Sequence, residues 1–343
     1  MKILAVSAFL ILSSLFLTAV AAQEELPPPG ITPDSWLYGL DRAIERLQKL
    51  LAFTTEARAR LALQLAEERL AEARAMADRG RPELAEVVAK DYESELNEST
   101  NYGERIAELA RKKDFEMLVA KATSVHLGVL ERVLEKVKIR RARFAIQRAL
   151  NVSNVRRERV LLRLRSIAPE EAAKLRFKYA ERILEKAREK AQRGKAEDAK
   201  RLINRYMLEL NKSDETRRRA IEIRRNVTKL LELVSNSTSK HLQILQEIYE
   251  KVPEAAKPAI ERAMNVSTKG QESALENLRR ISPRKAEELR RKIRERITEI
   301  RERRQTTTTL PEETLPTAVT LPETTTTEKP IEQTTTTGMR RGR

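Results

Sequence analysis

From Leu61 onward the chain places apolar residues at Leu61, Leu65, Leu70, Ala73 and Ala77, with charged and polar residues filling the gaps. Steps of three to five residues keep these positions on one stripe of a helix, so the pattern predicts a helix over about 56–79. Gly80 suits the left-handed residue just past a helix end, and Pro82 suits the first position of the next helix. That second helix reads as 83–97, stopped at Asn97 or Ser99. Further helices are predicted over about 101–121 and 124–150, these two open to running together, and a short one over about 154–166. Ser166 and Ser282 stand before Ala168-Pro169 and Pro283, which suits helix starts with proline in the first turn. No segment alternates with period two in β-branched residues, so the predicted fold class is all-α, without sheet.

The pattern then recurs. Shifted by 114 positions, "LALQLAEERLAEARAMADRGRPELAE" from Leu61 faces "LRFKYAERILEKAREKAQRGKAEDAK" from Leu175. Gly80 faces Gly194, Tyr92 faces Tyr206, "RALNVSN" at 148–154 faces "RAMNVST" at 262–268, and with an offset of 115 His126 faces His241. Self-similarity at a fixed period is the mark of repeated helical units. The predicted organisation is a lead helix at 33–54, one copy at 55–168, a second at 169–282, and the first helix of a third at 283–304. Leu, Ile and Ala seams between such helices favour elongated, coiled-coil-like bundles.

Composition changes the picture at the two ends. Of 343 residues, 35% are charged and 4% aromatic, with no Cys, a profile of long helices held without disulfides. "MKILAVSAFLILSSLFLTAVAA", residues 1–22, has one Lys, an apolar run and small residues at its end, the layout of a cleaved secretory signal. Residues 23–32 follow as a linker. Residues 305–343, rich in Thr and Pro with scattered Glu, cannot bury a core and read as a disordered stalk.

Between the linker and the first copy lies "PDSWLYGLDRAIERLQKLLAFTTEARARLALQLAEERLAEARAMADRG", residues 33–80. Its Pro33, Leu37-Tyr38, Leu40-Asp41-Arg42, Glu45, Glu56-Ala57-Arg58 and "LAEERLAEA" run resemble a bacterial and archaeal family known as domain of unknown function 5667. The resemblance implies an exported or membrane-linked helical protein and brings no catalytic residues. The second copy keeps "AERILEKA" but has no second "SWLYGLDR" lead. On the residues themselves, Thr32 can cap and Pro33 can open the lead helix, with Trp36 and Tyr38 expected to pin it onto the first bundle.

Six Asn-x-Ser/Thr triplets, at Asn97, Asn151, Asn211, Asn226, Asn236 and Asn265, are candidate glycosylation sites in an exported chain. Four form pairs 114 apart, expected at helix boundaries, where capping alone would also favour Asn and Ser. The net charge of +17 is uneven: residues 23–137 carry 17 basic and 22 acidic side chains, whereas residues 138–165 carry ten basic and one acidic. Arg140, Arg141, Arg143, Arg148, Arg156, Arg157, Arg159, Arg163 and Arg165 make the second stretch a candidate anion-contact patch. Against nucleic acid stand the export signal and the near absence of aromatics among these arginines. His126 and His241 have no second ligand at i+3 or i+4, so packed or exposed helix-start histidines are expected and not a metal pair. No nucleophile motif, phosphate loop or isolated carboxylate pair is present, so no catalytic residue, cofactor or metal site is expected. The sequence points to a non-enzymatic, extracytoplasmic helical repeat protein of the cell envelope. Its expected partners are an envelope protein, an acidic surface polymer or an anionic membrane surface. The alternative is a basic extracytoplasmic module binding an anionic polymer, an anionic lipid surface or, as the less favoured ligand, nucleic acid.

Overall fold

The computed structural model describes residues 26–222 and 227–308; the predicted leader and all of the predicted stalk beyond Thr308 lie outside them. Ten α-helices and no strand are present among the described residues, so the fold is all-α. They are α1 (Tyr38–Leu51), α2 (Thr55–Asp78), α3 (Pro82–Glu104), α4 (Leu109–Lys136), α5 (Arg140–Ile167), α6 (Pro169–Gln192), α7 (Ala196–Glu222), α8 (Thr228–Lys251), α9 (Lys257–Ile281) and α10 (Pro283–Thr308), with a short 3₁₀ turn at Glu254–Ala256 before α9. The chain divides into a unit ending at Arg294 and a second beginning at Glu295. Of the second, the described part is the end of α10.

The predicted glycine stops are found. Gly80 and Gly194 take φ of +68° and +70°. Past α2, the Arg81 N–H bonds the Met76 carbonyl at 2.8 Å and the Gly80 N–H bonds that of Ala77 at 3.2 Å; Lys195 and Gly194 repeat the pair onto Lys190 and Ala191. This is the Schellman arrangement, which needs a left-handed residue that costs glycine nothing. Pro82, Pro169 and Pro283 each open a helix, and the Thr54 hydroxyl accepts from the Ala57 N–H at the start of α2.

Inside the copies the boundaries differ from the sequence reading. The helix begun at Pro82 runs through Asn97 and Ser99 to Glu104. Residues 121–124 are helical, one of the two outcomes left open, the expected interruption at 150–154 is helical too, and the breaks fall at 105–108 and 137–139. Each half therefore has four helices. Ser99, read as a stop, donates across to the Ala59 carbonyl of α2 at 2.8 Å, and hydroxyls near the expected breaks bond back into their own helix: Thr123 donates to the Val119 carbonyl at 2.6 Å and Thr100 to that of Leu96 at 3.0 Å. A hydroxyl that closes on the carbonyl four residues back no longer competes with the helix.

In the first half α2 packs on α3 and α4, and α5 on α3 and α4; in the second, α6 packs on α7 and α8, and α9 on α7 and α8. One core, including Leu63, Leu70, Leu96, Phe115, Leu130 and Ile146, fills the first half. The other, including Ile183, Leu184, Ile203, Leu231, Leu245 and Ile260, fills the second and takes in Ala286, Leu289 and Ile293 of α10. Gly103 is required in the first, because a Cβ there would lie 2.1 Å from the Phe115 ring.

α1 is built differently. Thr32 does not cap it: residues 32–37 form turns, and the Thr32 hydroxyl donates to Asp34 and accepts from Arg79. Tyr38 does anchor the helix, through its hydroxyl to Glu72, but Trp36 is 90% exposed and pins nothing. The one buried residue of α1 is Glu45.

Candidate functional site

The side chains best placed for chemistry are two matching buried groups. In the first half the Tyr92 hydroxyl and His126 Nδ1 share a hydrogen bond of 3.1 Å, with the rings edge to face. Ser153 lies alongside on α5, close enough to lower the Tyr92 phenol against the raising effect of burial, while its hydroxyl donates to the Thr123 carbonyl at 3.4 Å. In the second half Tyr206 and His241 stand 3.2 Å apart in the same geometry, and the Tyr206 hydroxyl is also 2.7 Å from that of Ser267. All six side chains are fully buried. Each group joins three helices, α3–α4–α5 or α7–α8–α9, so its hydrogen bonds fix the register of the bundle. Burial pushes both phenols up and holds the His241 imidazole down to about 3, with Lys240 adding to the effect. His241 is therefore neutral across the physiological range, and the Nε2 atoms of both histidines are buried without a hydrogen-bond partner. Both lie in mid-helix, not at the helix starts expected for them. The tyrosine partners were readable in principle, since Tyr92 and Tyr206 recur with the histidines, but nothing in the spacing ties one to the other.

A second buried cluster joins the halves. Arg157 reaches Ser124 at 3.1 Å and Glu209 at 3.1 and 3.2 Å, and its guanidinium lies 3.8 Å from the centre of the Tyr179 ring. Arg176 also meets Glu209 at 3.1 Å. A buried charge is tolerable only when paired and hydrogen-bonded, and here both signs are supplied from three helices.

Arg157 belongs to the arginine stretch singled out from sequence, and the rest of the stretch follows suit. Arg141 pairs with Glu86, Arg148 with Glu93, Arg159 with Glu104, Arg163 with Glu116 and Arg165 with Glu215. Arg143 donates to the Leu134 and Val137 carbonyls, and Arg156 to the Asn97 side chain. Arg140 alone of the nine is exposed with no such contact. Five of these partners, Glu86, Glu93, Asn97, Glu104 and Glu116, lie in the acid-rich first part of the chain. The arginines of α5 are thus mostly engaged within the molecule, while the chain as a whole keeps its net charge of +17, with 36 basic against 23 acidic side chains over residues 166–304.

The five sequon asparagines among the described residues fall in mid-helix, not at boundaries. Asn151, Asn211, Asn236 and Asn265 are exposed, Asn97 is half-buried under Arg156, and Asn226 lies outside the described residues. In these five the hydroxyl two positions on is buried: Ser99 donates to the Ala59 carbonyl at 2.8 Å, Thr238 to that of Val234 at 2.7 Å, and Ser267 to that of Ala263 at 2.8 Å. Thr228 of the sixth is half-buried. In five sequons, then, the Ser or Thr is a small polar residue in a helix seam.

A cleft of about 790 Å³ runs between α4, α6 and α7, where Glu131 pairs with Lys186 and Arg205. Among the described residues no group of His, Asp and Glu is arranged to hold a metal ion, and no helix is long and apolar enough to cross a membrane.

These features define an all-α protein of packed helical bundles with polar groups locked in their seams. Over residues 30–140 the chain matches the model of a family described as a domain of unknown function (DUF5667), the family that its lead segment resembles; the match spans α1 to α4. No curated protein and no solved structure matches the chain.

Proposed function

We propose that the protein is an exported, non-enzymatic helical scaffold that acts through contacts in the cell envelope, and that its body arose by doubling of one four-helix unit. The observation that carries the reading is where the polar chemistry points. The Tyr–His–Ser groups, the Arg157–Glu209–Arg176 cluster and the paired arginines of α5 all close on groups of the same chain across helix seams. Side chains so engaged hold helices in register and leave little free to bind or turn over a small molecule. Export is supported by the apolar leader of residues 1–22 and by a body stabilised without cysteine. The doubled unit is supported by the 114-residue period together with the paired glycine stops and paired Tyr–His–Ser groups. The engagement of eight of the nine arginines weighs against the anionic-polymer alternative.

Mass spectrometry of the protein from its native source tests the reading. A chain beginning at Ala22 or Gln23, recovered outside the cytoplasm, is expected, with added sugar mass at sequons where the host glycosylates exported proteins. Recovery from the cytosol with Met1 in place would overturn it. Retention on heparin that falls steeply with salt, and is lost on neutralising Arg140, Arg141 and Arg143, would restore the anion-binding alternative.

A further inference from the structure

α1 is an amphipathic helix docked the wrong way round. At about 100° per residue, Leu40, Ala43, Ile44, Leu47, Leu50 and Leu51 share an arc of roughly 120°. Arg42, Glu45 and Lys49 occupy the opposite face. The ordinary arrangement buries the apolar arc. Here the polar face is the one turned inward: Glu45 pairs with buried Arg69, Arg42 with Asp91 at 3.4 Å, and Lys49 with Glu95 and Glu98 at 2.7 Å each. Tyr38 completes the cluster between Arg69 and Glu72. The apolar arc faces outward, extended by Trp36 and Phe53 at its ends. Seven of the fifteen large hydrophobic side chains exposed among the described residues fall between Trp36 and Phe53. The helix cannot roll over to hide them without pulling Glu45 and Tyr38 away from the buried Arg69–Glu72 pair of α2, which would take the Glu45 carboxylate from its cation.

We propose that this face pairs with the same face of a second copy of the chain. Three observations select that occupant. First, Leu40, Ile44, Leu47 and Leu51 follow steps of four, three and four, the spacing of a two-helix seam, and an apolar stripe is self-complementary about a two-fold axis. Second, the area suffices. Trp36 and Phe53 are 90% and 79% exposed and five aliphatic side chains are 45–73% exposed. With about 150–250 Å² available per aromatic side chain, the face offers on the order of 800 Å², the share of each partner in a standard interface. Third, the surroundings disfavour the other candidates. A helix that lies in a membrane surface is flanked by Lys and Arg, whereas residues 23–137 carry 17 basic against 22 acidic side chains. A head-to-tail contact would need an apolar acceptor at the far end of this unit, but α10 up to Arg294 exposes Arg284, Lys285, Glu287, Glu288, Arg291, Lys292 and Arg294. The end unit of a helical array ordinarily turns a polar face outward; α1 does the reverse, as a helix meant to be covered would.

The test uses the mature full-length chain from about 0.1 to 100 μM. Sedimentation should show a monomer–dimer equilibrium, and Trp36, the only tryptophan, should shift its emission to shorter wavelength as dimer forms. The double variant L40E/L47E should stay monomeric, weakening association at least 100-fold, while its helicity and unfolding temperature stay close to the parent's monomer values. A single cysteine at Leu47 in this cysteine-free chain should cross-link to its twin under mild oxidation. A wild-type chain that is monomeric at every concentration would overturn the proposal. So would a dimer indifferent to L40E/L47E. Wild-type monomer that binds vesicles of phosphatidylcholine and phosphatidylglycerol, and loses that binding in L40E/L47E, would overturn it in favour of a lipid surface.

Discussion

In the first half Glu67 lies 3.8 Å from Nε2 of His126. In the second, the residue at the same place, Glu181, pairs instead with Lys240 at 2.5 Å. Lys240 occupies the position held by Val125 in the first half. The residue beside each histidine differs accordingly: next to Val125 the carboxylate stays near the imidazole, and next to Lys240 it pairs with the ammonium, the two carboxylates being about equally exposed. A second substitution separates the halves. Arg157 of α5 corresponds to Gln271 of α9. Both reach the equivalent serine, Ser124 or Ser239, but only the arginine also reaches across to Glu209 of the neighbouring bundle. Gln271 donates instead to the Ser235 carbonyl at 3.1 Å within its own bundle. The shared hydrogen bonds build a bundle; the departures from the pattern join bundles and set local charge.

The comparison can be broken most severely at Arg157. Arg157→Gln gives the first half the second half's residue and leaves Glu209 with Arg176 and the more distant Lys212. Stability should fall by about 3 kcal/mol, the scale of a broken buried ion pair, read as a lower denaturant midpoint. Next comes acid. His241 is held down to about 3 against an ordinary 6.5, so below pH 6.5 the unfolded chain takes up a proton that the folded chain refuses. Stability therefore drops as the pH falls from 6.5 toward 3. Over the first two units the loss is about 2.5 kcal/mol, at roughly 1.4 kcal/mol per unit. Denaturation curves of the wild type and His241→Gln at several pH values check this; the same acid slope in both would refute it.

Smaller effects sharpen the contrast. Tyr206 has two close side-chain partners at 3.2 and 2.7 Å, whereas Tyr92 has one at 3.1 Å. Tyr206→Phe should cost about 2 kcal/mol and Tyr92→Phe about 1 kcal/mol, since a lost hydrogen bond is worth about 1 kcal/mol and a stranded buried partner adds to it. Equal losses in thermal unfolding would show the groups to be equivalent. Least in size, Lys240→Val should release Glu181 toward His241 and raise the imidazole by about one pKa unit, worth roughly 1.4 kcal/mol, visible in an NMR titration of the ring.

Much of this was legible in the chain. The glycine stops, the prolines that open helices and the Leu and Ala stripes act locally, so Gly80, Gly194 and Pro169 could be read off directly. The helix interruptions near Asn97 and 150–154 were misread, and 121–124 was left open, because Asn, Ser and Thr are ambiguous without their partners. In the fold the hydroxyls of Ser99, Thr123 and Ser153 lie in seams between helices, where packing overrides propensity. The arginine stretch looked like a surface field because its acids lie some 50 residues away in sequence, as in Arg148–Glu93 and Arg157–Glu209. The outward turn of α1 was the least accessible feature: its apolar stripe predicts a buried face, and only the ion pairs on its other side reverse that.

The seam position of the sequon hydroxyls carries a consequence for the order of events in the cell. An enzyme that attaches sugar to Asn-x-Ser/Thr reads the hydroxyl as well as the amide, and at Ser99, Ser153, Ser213, Thr238 and Ser267 the closed helices hide it. Any glycan on these five asparagines must be added while the segment is still open. If the chain is exported and glycosylated as proposed, occupancy at each site would then work as a stopwatch, recording how long that stretch of polypeptide stayed open before its bundle shut.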